Sequence, residues 1–121
     1  MSNAAHYEPT PADQWTSAQL ALITNAEATL QAPSSIVRRL VVESALLTNV
    51  SGAATRVDLK DGNSGAVIAS ASWPVTAPGQ TIPISFGAHG MKLTLGNNLR
   101  AVCSVGVTSV LINATGYEVS V

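Results

Sequence analysis

The chain has 121 residues, a formal net charge of −1 and 11% charged residues, where ordinary soluble domains carry about a quarter. That length holds one domain around one core. Six scattered basic residues exclude the cationic field that a nucleic-acid binder or a basic membrane-surface helix requires, and no apolar run approaches the ~18 residues of a membrane-spanning helix.

The first residues, Met1 to Glu8, are polar. They lack the cationic start and apolar run of a secretory signal, so the expectation is a protein made in a cytoplasm and not secreted. Residues 1–16 carry Pro9 and Pro11, which bias the chain toward extended conformations. The segment reads as an extended N-terminal arm with Tyr7 and Trp15 as its large side chains. An alternative is a helix over residues 11–22, with Thr10 as cap, Pro11 in the first turn and Trp15, Ala18 and Leu22 at helical spacing.

From Leu20 onward Val, Ile and Thr dominate, and turn residues recur at short intervals. This pattern predicts strands near residues 19–24, 26–31, 36–48, 54–60, 65–73, 80–86, 91–95, 99–105 and 108–119, the spacing of an antiparallel β-sandwich or small barrel. The clearest unit is Thr55 to Lys60, with Val57 and Leu59 alternating against charged residues. It runs into Asp61-Gly62 and a returning strand from Ala66, which is a hairpin. Ile36 to Leu47 could also line a helix face; a long strand that places Arg38 and Arg39 on opposite faces is preferred. Residues 17–121 form the sandwich domain in this reading.

Candidate chemistry is sparse. The two histidines, His6 and His89, lie in the lead and in a Gly-rich turn, and no zinc-ligand spacing occurs. Asp61-Gly62-Asn63-Ser64-Gly65 faintly resembles a calcium loop but lacks its closing Glu, and a hairpin turn accounts for the same residues. There is no nucleophile elbow and no phosphate-cradling loop. No metal or cofactor is implied, and the chain reads as a non-enzyme. A small hydrolase would have to depend on His89. Cys103, the single cysteine, excludes an intrachain disulfide and reads as a buried small hydrophobe. Trp73, just before Pro74, is either a core lid or interface anchor, or a ring for binding a glycan; five aromatics spread over the chain favour the former.

A low-charge surface rich in Ser, Thr, Asn and Ala is poorly defended against association and suits a protein that works inside an assembly. Ala32-Pro33-Ser34-Ser35-Ile36-Val37-Arg38-Arg39, Thr48-Asn49-Val50-Ser51-Gly52-Ala53-Ala54-Thr55, Val57-Asp58-Leu59-Lys60-Asp61-Gly62, Gly96-Asn97-Asn98-Leu99 and the ending Ile112-Asn113-Ala114-Thr115-Gly116-Tyr117 resemble small virion proteins of tailed bacteriophages. The resemblance covers residues 20–121. It implies a single jelly-roll-like β-sandwich of eight to nine strands that decorates, or cements, the outside of a capsid, as a homotrimer bound to the major capsid protein. Tyr7, Trp15, Arg38 and Arg39 are the expected contacts with neighbouring subunits or with the capsid, the arm lying across a neighbour. The rival reading is a receptor- or glycan-binding module of a tail or head fibre, with Trp73 and the 61–65 turn as its candidates.

Overall fold

Ten β-strands and no helix make up the described residues of the computed structural model, which are 13–50, 53–75, 78–104 and 109–120. The strands are β1 (Gln14–Thr16), β2 (Leu20–Leu22), β3 (Ala28–Gln31), β4 (Arg38–Asn49), β5 (Thr55–Asp61), β6 (Ala66–Trp73), β7 (Gln80–Ser85), β8 (Met91–Lys92), β9 (Leu99–Cys103) and β10 (Val110–Ser120). Side chains alternate across a strand, and the sequence exploits that period. In β10, Val110, Ile112, Ala114, Gly116 and Glu118 are buried while the residues between them are partly exposed; in β9, Leu99, Ala101 and Cys103 are buried in the same way.

All pairings are antiparallel and build two sheets. In the six-stranded sheet β10 and β4 are central; β1 and β2 share one edge beside β10, while β7 and β8 share the other beside β4. The four-stranded sheet runs β3-β9-β5-β6. If β1 with β2, and β7 with β8, are each taken as one interrupted strand, the chain has eight strand positions. The first then pairs with the last, the second with the seventh, the third with the sixth and the fourth with the fifth. That is a long hairpin rolled into two facing sheets, the jelly-roll arrangement.

The core between the sheets is aliphatic, with Leu40, Val42, Leu47, Val57, Leu59, Leu99 and Ile112 fully buried. One tryptophan sits toward each end: Trp73 beside Thr55, and Trp15 beside Gly116. Cys103 is buried, and its thiol donates to the Thr24 carbonyl at 2.9 Å.

Two expectations are revised at the N-terminal side. The sandwich reaches back through Asp13–Thr16, the last residues of the segment read as an arm, because β1 pairs with β10. The Asp13 carbonyl accepts from Glu118 N–H and the Ala114 carbonyl accepts from Ser17 N–H. The alternative helix over 11–22 does not form in its described part, 13–22, which is strand and coil. Its helical spacing is overridden because the edge of β10 offers these backbone groups partners and the core offers Trp15 a site. The remaining arm, with Tyr7 and His6, lies outside the described residues.

Candidate assembly surface

The two sheets present outward faces of opposite character. On the four-stranded sheet the outward residues of β5 are Arg56, Asp58 and Lys60, and their cross-strand neighbours include Arg100. Glu27 ties this face together, accepting from Lys60 Nζ at 3.2 Å, Arg100 Nε at 3.1 Å and Ser64 N–H at 2.9 Å. Asp58 pairs with Arg56 at 3.1 Å and accepts from Ser70 Oγ at 2.6 Å. The charges of this face are paired among themselves.

The Ser64 N–H, followed by Arg100 and Lys60, holds the Glu27 carboxyl below the usual carboxylate range, against the opposing pull of partial burial. The folded value lies below the unfolded one, so Glu27 contributes stability that is fully present above the ordinary glutamate range. That contribution is lost as pH falls through the lowered folded value. Glu27→Gln is therefore expected to flatten that part of the acid limb of a urea-midpoint-against-pH curve; parallel curves for the two proteins would show that Glu27 anchors nothing.

The turn that follows β5 is held the same way. Both Asp61 carboxylate oxygens accept from Thr94 N–H, at 2.9 and 3.1 Å, and Asn97 Nδ2 donates to one of them at 3.0 Å. Gly62 and Ser64 have positive φ, and a Cβ on Gly65 would fall 1.8 Å from the Asp61 carbonyl oxygen. The residues resembling a calcium loop thus serve as a turn anchored to the 94–98 segment. No group of three or more metal-ligating side chains occurs among the described residues.

The outward face of the six-stranded sheet is different. Register and alternation place Ala21, Leu111, Thr48 and Thr81 in one cross-strand row. The next row is Asn113, Leu46 and Pro83, followed by Thr16, Thr115, Ser44 and Ser85. Hydroxyl pairs across strands, Ser44 with Thr115 at 2.9 Å and Thr48 with Thr81 at 2.7 Å, stiffen it. None of these residues is charged. Leu46 is 53% exposed, and Val50 and Ile23, just past the ends of β4 and β2, are 49% and 64% exposed. A contiguous uncharged patch with solvent-facing aliphatic side chains makes this face the candidate interaction surface.

Further along, Val41 points to this same outer side yet is fully buried, because the 87–90 turn lies over it. A Cβ on Gly90 would meet Val41 Cγ1 at 2.7 Å, and Tyr117 Oη donates to the His89 carbonyl at 3.4 Å. The patch is thereby closed at one end. His89, the residue a hydrolase would need, contributes a backbone carbonyl to that cover.

The predicted contact residues divide. Trp15 is 8% exposed in the core, and its Nε1 donates to the Tyr117 carbonyl at 3.1 Å, so the ring serves its own subunit. Arg38 bonds Asp13 at 3.0 Å and Glu118 at 3.1 Å, while Glu118 also accepts from Ser34 N–H and Oγ. Glu118 first, then Asp13, holds the Arg38 guanidinium in its protonated form more firmly than water does. This cluster ties the start of β1, the 32–37 loop and the end of β10. Arg39 lies on the outer side of β4 opposite Val119, half-buried, with its Nε buried and unpaired among the described residues. Tyr7 lies outside the described residues. Trp73 is 1% exposed and presents no ring to a sugar. The patch around Leu46 escapes sequence reading because β4 is apolar on both sides through Ala45-Leu46-Leu47, and periodicity alone does not say which side is covered.

No protein-family model and no curated protein matches the chain. Solved structures do. PirA is similar at a TM-score of 0.53 and 11% identity, over 84% of this chain and 93% of that one. A protein of Bacillus endospore appendages, described as forming a novel family of disulfide-linked pili, is similar at 0.50 and 10% identity over 100% and 97%. The coat protein of Tobacco streak virus is similar at 0.45 and 11% identity over 93% and 90%. At these identities what is shared is the fold: this chain is an all-β, jelly-roll-like sandwich.

Proposed function

We propose that the chain is a non-enzymatic structural subunit of a virion, laid on the outside of a phage capsid by the uncharged face of its six-stranded sheet. The observation that carries this reading is the asymmetry of the two outward faces: one ion-paired, the other with three successive cross-strand rows free of charge and Leu46, Val50 and Ile23 exposed, Arg39 and Lys92 lying beyond those rows. The ion-paired face would look to solvent and the uncharged face would meet protein. Arg39 at the rim of that face, and Tyr7 in the arm, are the proposed polar and aromatic contacts. The major capsid protein is the proposed partner, and a homotrimer the proposed form in which copies bridge capsomers. Several weak contacts made at once then give strong attachment and a shell that resists rupture. The glycan-binding alternative loses support because Trp73 is buried.

The test is co-sedimentation with expanded, undecorated capsids, together with their thermal rupture. Binding at about micromolar concentration is expected. Leu46→Glu, which puts a carboxylate where apolar surface is to be buried, should weaken it about tenfold or more while leaving the fold intact. No sedimentation with capsids, or equal binding by the variant, overturns the reading. Light scattering of the free protein checks the trimer.

A further inference from the structure

Of the six cationic side chains, Arg38, Arg56, Lys60 and Arg100 are ion-paired within the sandwich. Arg39 and Lys92 have no acidic partner among the described residues. Register makes these two diagonal neighbours on the outer side of the six-stranded sheet, since Lys92 stands opposite Val41, and like charges so placed repel. The Arg39 Nε is also buried with nothing to bond, and a buried donor left unbonded is costly. Of the seven acidic side chains, Asp13, Glu27, Asp58 and Glu118 are ion-paired, and Asp61 accepts from Thr94 and Asn97. Glu43 lies four residues along β4 from Arg39, roughly 13 Å of strand, and forms no ion pair with it. The remaining acid is Glu8, in the twelve residues that precede Asp13.

We infer that Arg39 is the docking point for the N-terminal arm of its own subunit, the Glu8 carboxylate accepting from the Arg39 guanidinium with Lys92 beside it. The arm joins the sandwich close by. The Asp13 carbonyl accepts from Glu118 N–H, and one more residue of that register sets position 12 opposite Val119, in the row of Arg39. Arg39 is then two strand spacings away, roughly 10 Å. Position 11 is a proline, with no N–H to extend the ladder to Ser120, so the arm leaves the edge there. The four residues from position 12 back to Glu8 give about 14 Å of extended chain, enough to cross β10 and reach Arg39. Apolar groups match as well. Ile36 is 82% and Val37 62% exposed, in a loop held by Ser34 on Glu118 and by the Gly96 N–H on the Arg38 carbonyl. Tyr7 and Pro9 flank Glu8, so ring and carboxylate meet aliphatic and cationic partners together. A segment tethered this near finds its own subunit at high effective concentration, which favours it over a neighbouring copy. Tyr7 is thereby fixed at the rim, and the three uncharged rows stay clear. The docking needs no capsid and stands apart from the virion reading.

The experiment uses the full chain free in solution, so its failure is distinct from a failure of capsid binding. Arginine Nε–H signals are followed by NMR in the wild-type protein and in Glu8→Gln. The Arg39 signal should shift and its exchange with water quicken about fivefold or more, while those of Arg38, Arg56 and Arg100 stay in place. Hydrogen exchange of the arm amides gives a second reading. Glu8→Arg and Arg39→Glu should each lose protection around Tyr7 and Thr10, and the two substitutions together should regain it. An Arg39 signal indifferent to Glu8, or one that responds to Glu43→Gln instead, overturns the inference. So does a charge exchange that restores nothing, or arm protection that rises with protein concentration and so places the arm on a second copy.

Discussion

Gly116→Ala should destabilise the fold by about 3 kcal/mol or more, with a melting temperature lowered by about 10 °C. The reason is local. At residue 116 β10 shifts register against β4, where Glu43 is the extra residue between Ser44 and Val42. A Cβ there would sit 2.0 Å from the Val41 carbonyl oxygen and 2.6 Å from Trp15 Cζ2. A ring can shift by a few tenths of an ångström, but a backbone carbonyl in a central strand cannot. Differential scanning calorimetry of Gly116→Ala and of Gly116→Ala with Trp15→Leu separates the two obstacles. The double variant should not recover wild-type stability. Full recovery would mean that the ring alone made the glycine necessary.

Trp73 should tolerate loss of its indole nitrogen far better than loss of its bulk. The side chain is 1% exposed, and its Nε1 is buried without a hydrogen-bond partner among the described residues. Trp73→Ala empties the end of the core and should cost about 4 kcal/mol. Trp73→Phe keeps most of the volume and removes a donor that gains nothing inside the protein, so the cavity penalty is partly offset and the cost should be about 1 kcal/mol. Urea unfolding of both variants gives the comparison. Equal losses would mean that Nε1 holds a bond worth keeping, and no loss in Trp73→Ala would mean that the ring is not a core element. The pair also bears on the glycan reading, which needs the ring on the outside.

The strands from 20 onward were legible because each carries its own local signal. Val57 and Leu59 alternate with charges, Asp61-Gly62 announces the turn, and Pro33, Pro74 and Gly79 punctuate the rest. Strand β1 was not legible, since Gln14-Trp15-Thr16 is too short to show a period and owes its form to β10, about a hundred residues away in sequence. The same distance hid the role of Arg38. Its partners Asp13 and Glu118 are brought together only by the pairing of the chain's two ends, and a surface contact was the natural reading of an Arg-Arg pair. The assembly face was half legible. Low charge pointed to association, but only cross-strand register gathers Ala21, Leu111, Asn113, Leu46, Thr48 and their neighbours into one uncharged patch, with Arg39 and Lys92 standing farther along the same side.

The rolled-hairpin topology has a consequence for when this protein exists. Strand β10 lies in the middle of the six-stranded sheet, between the earliest strands and β4, so that sheet has no centre until residues 110–120 have been synthesised. Until then β4 lacks its longest neighbour and Leu40, Val42 and Leu47 have less to pack against. Closing such sequence-distant pairs is entropically expensive and slow. A partly made chain would expose apolar strand while it waits. The low charge of the chain leaves that waiting state poorly defended against wrong association, so fast completion of the last strand protects the protein as well as completing it.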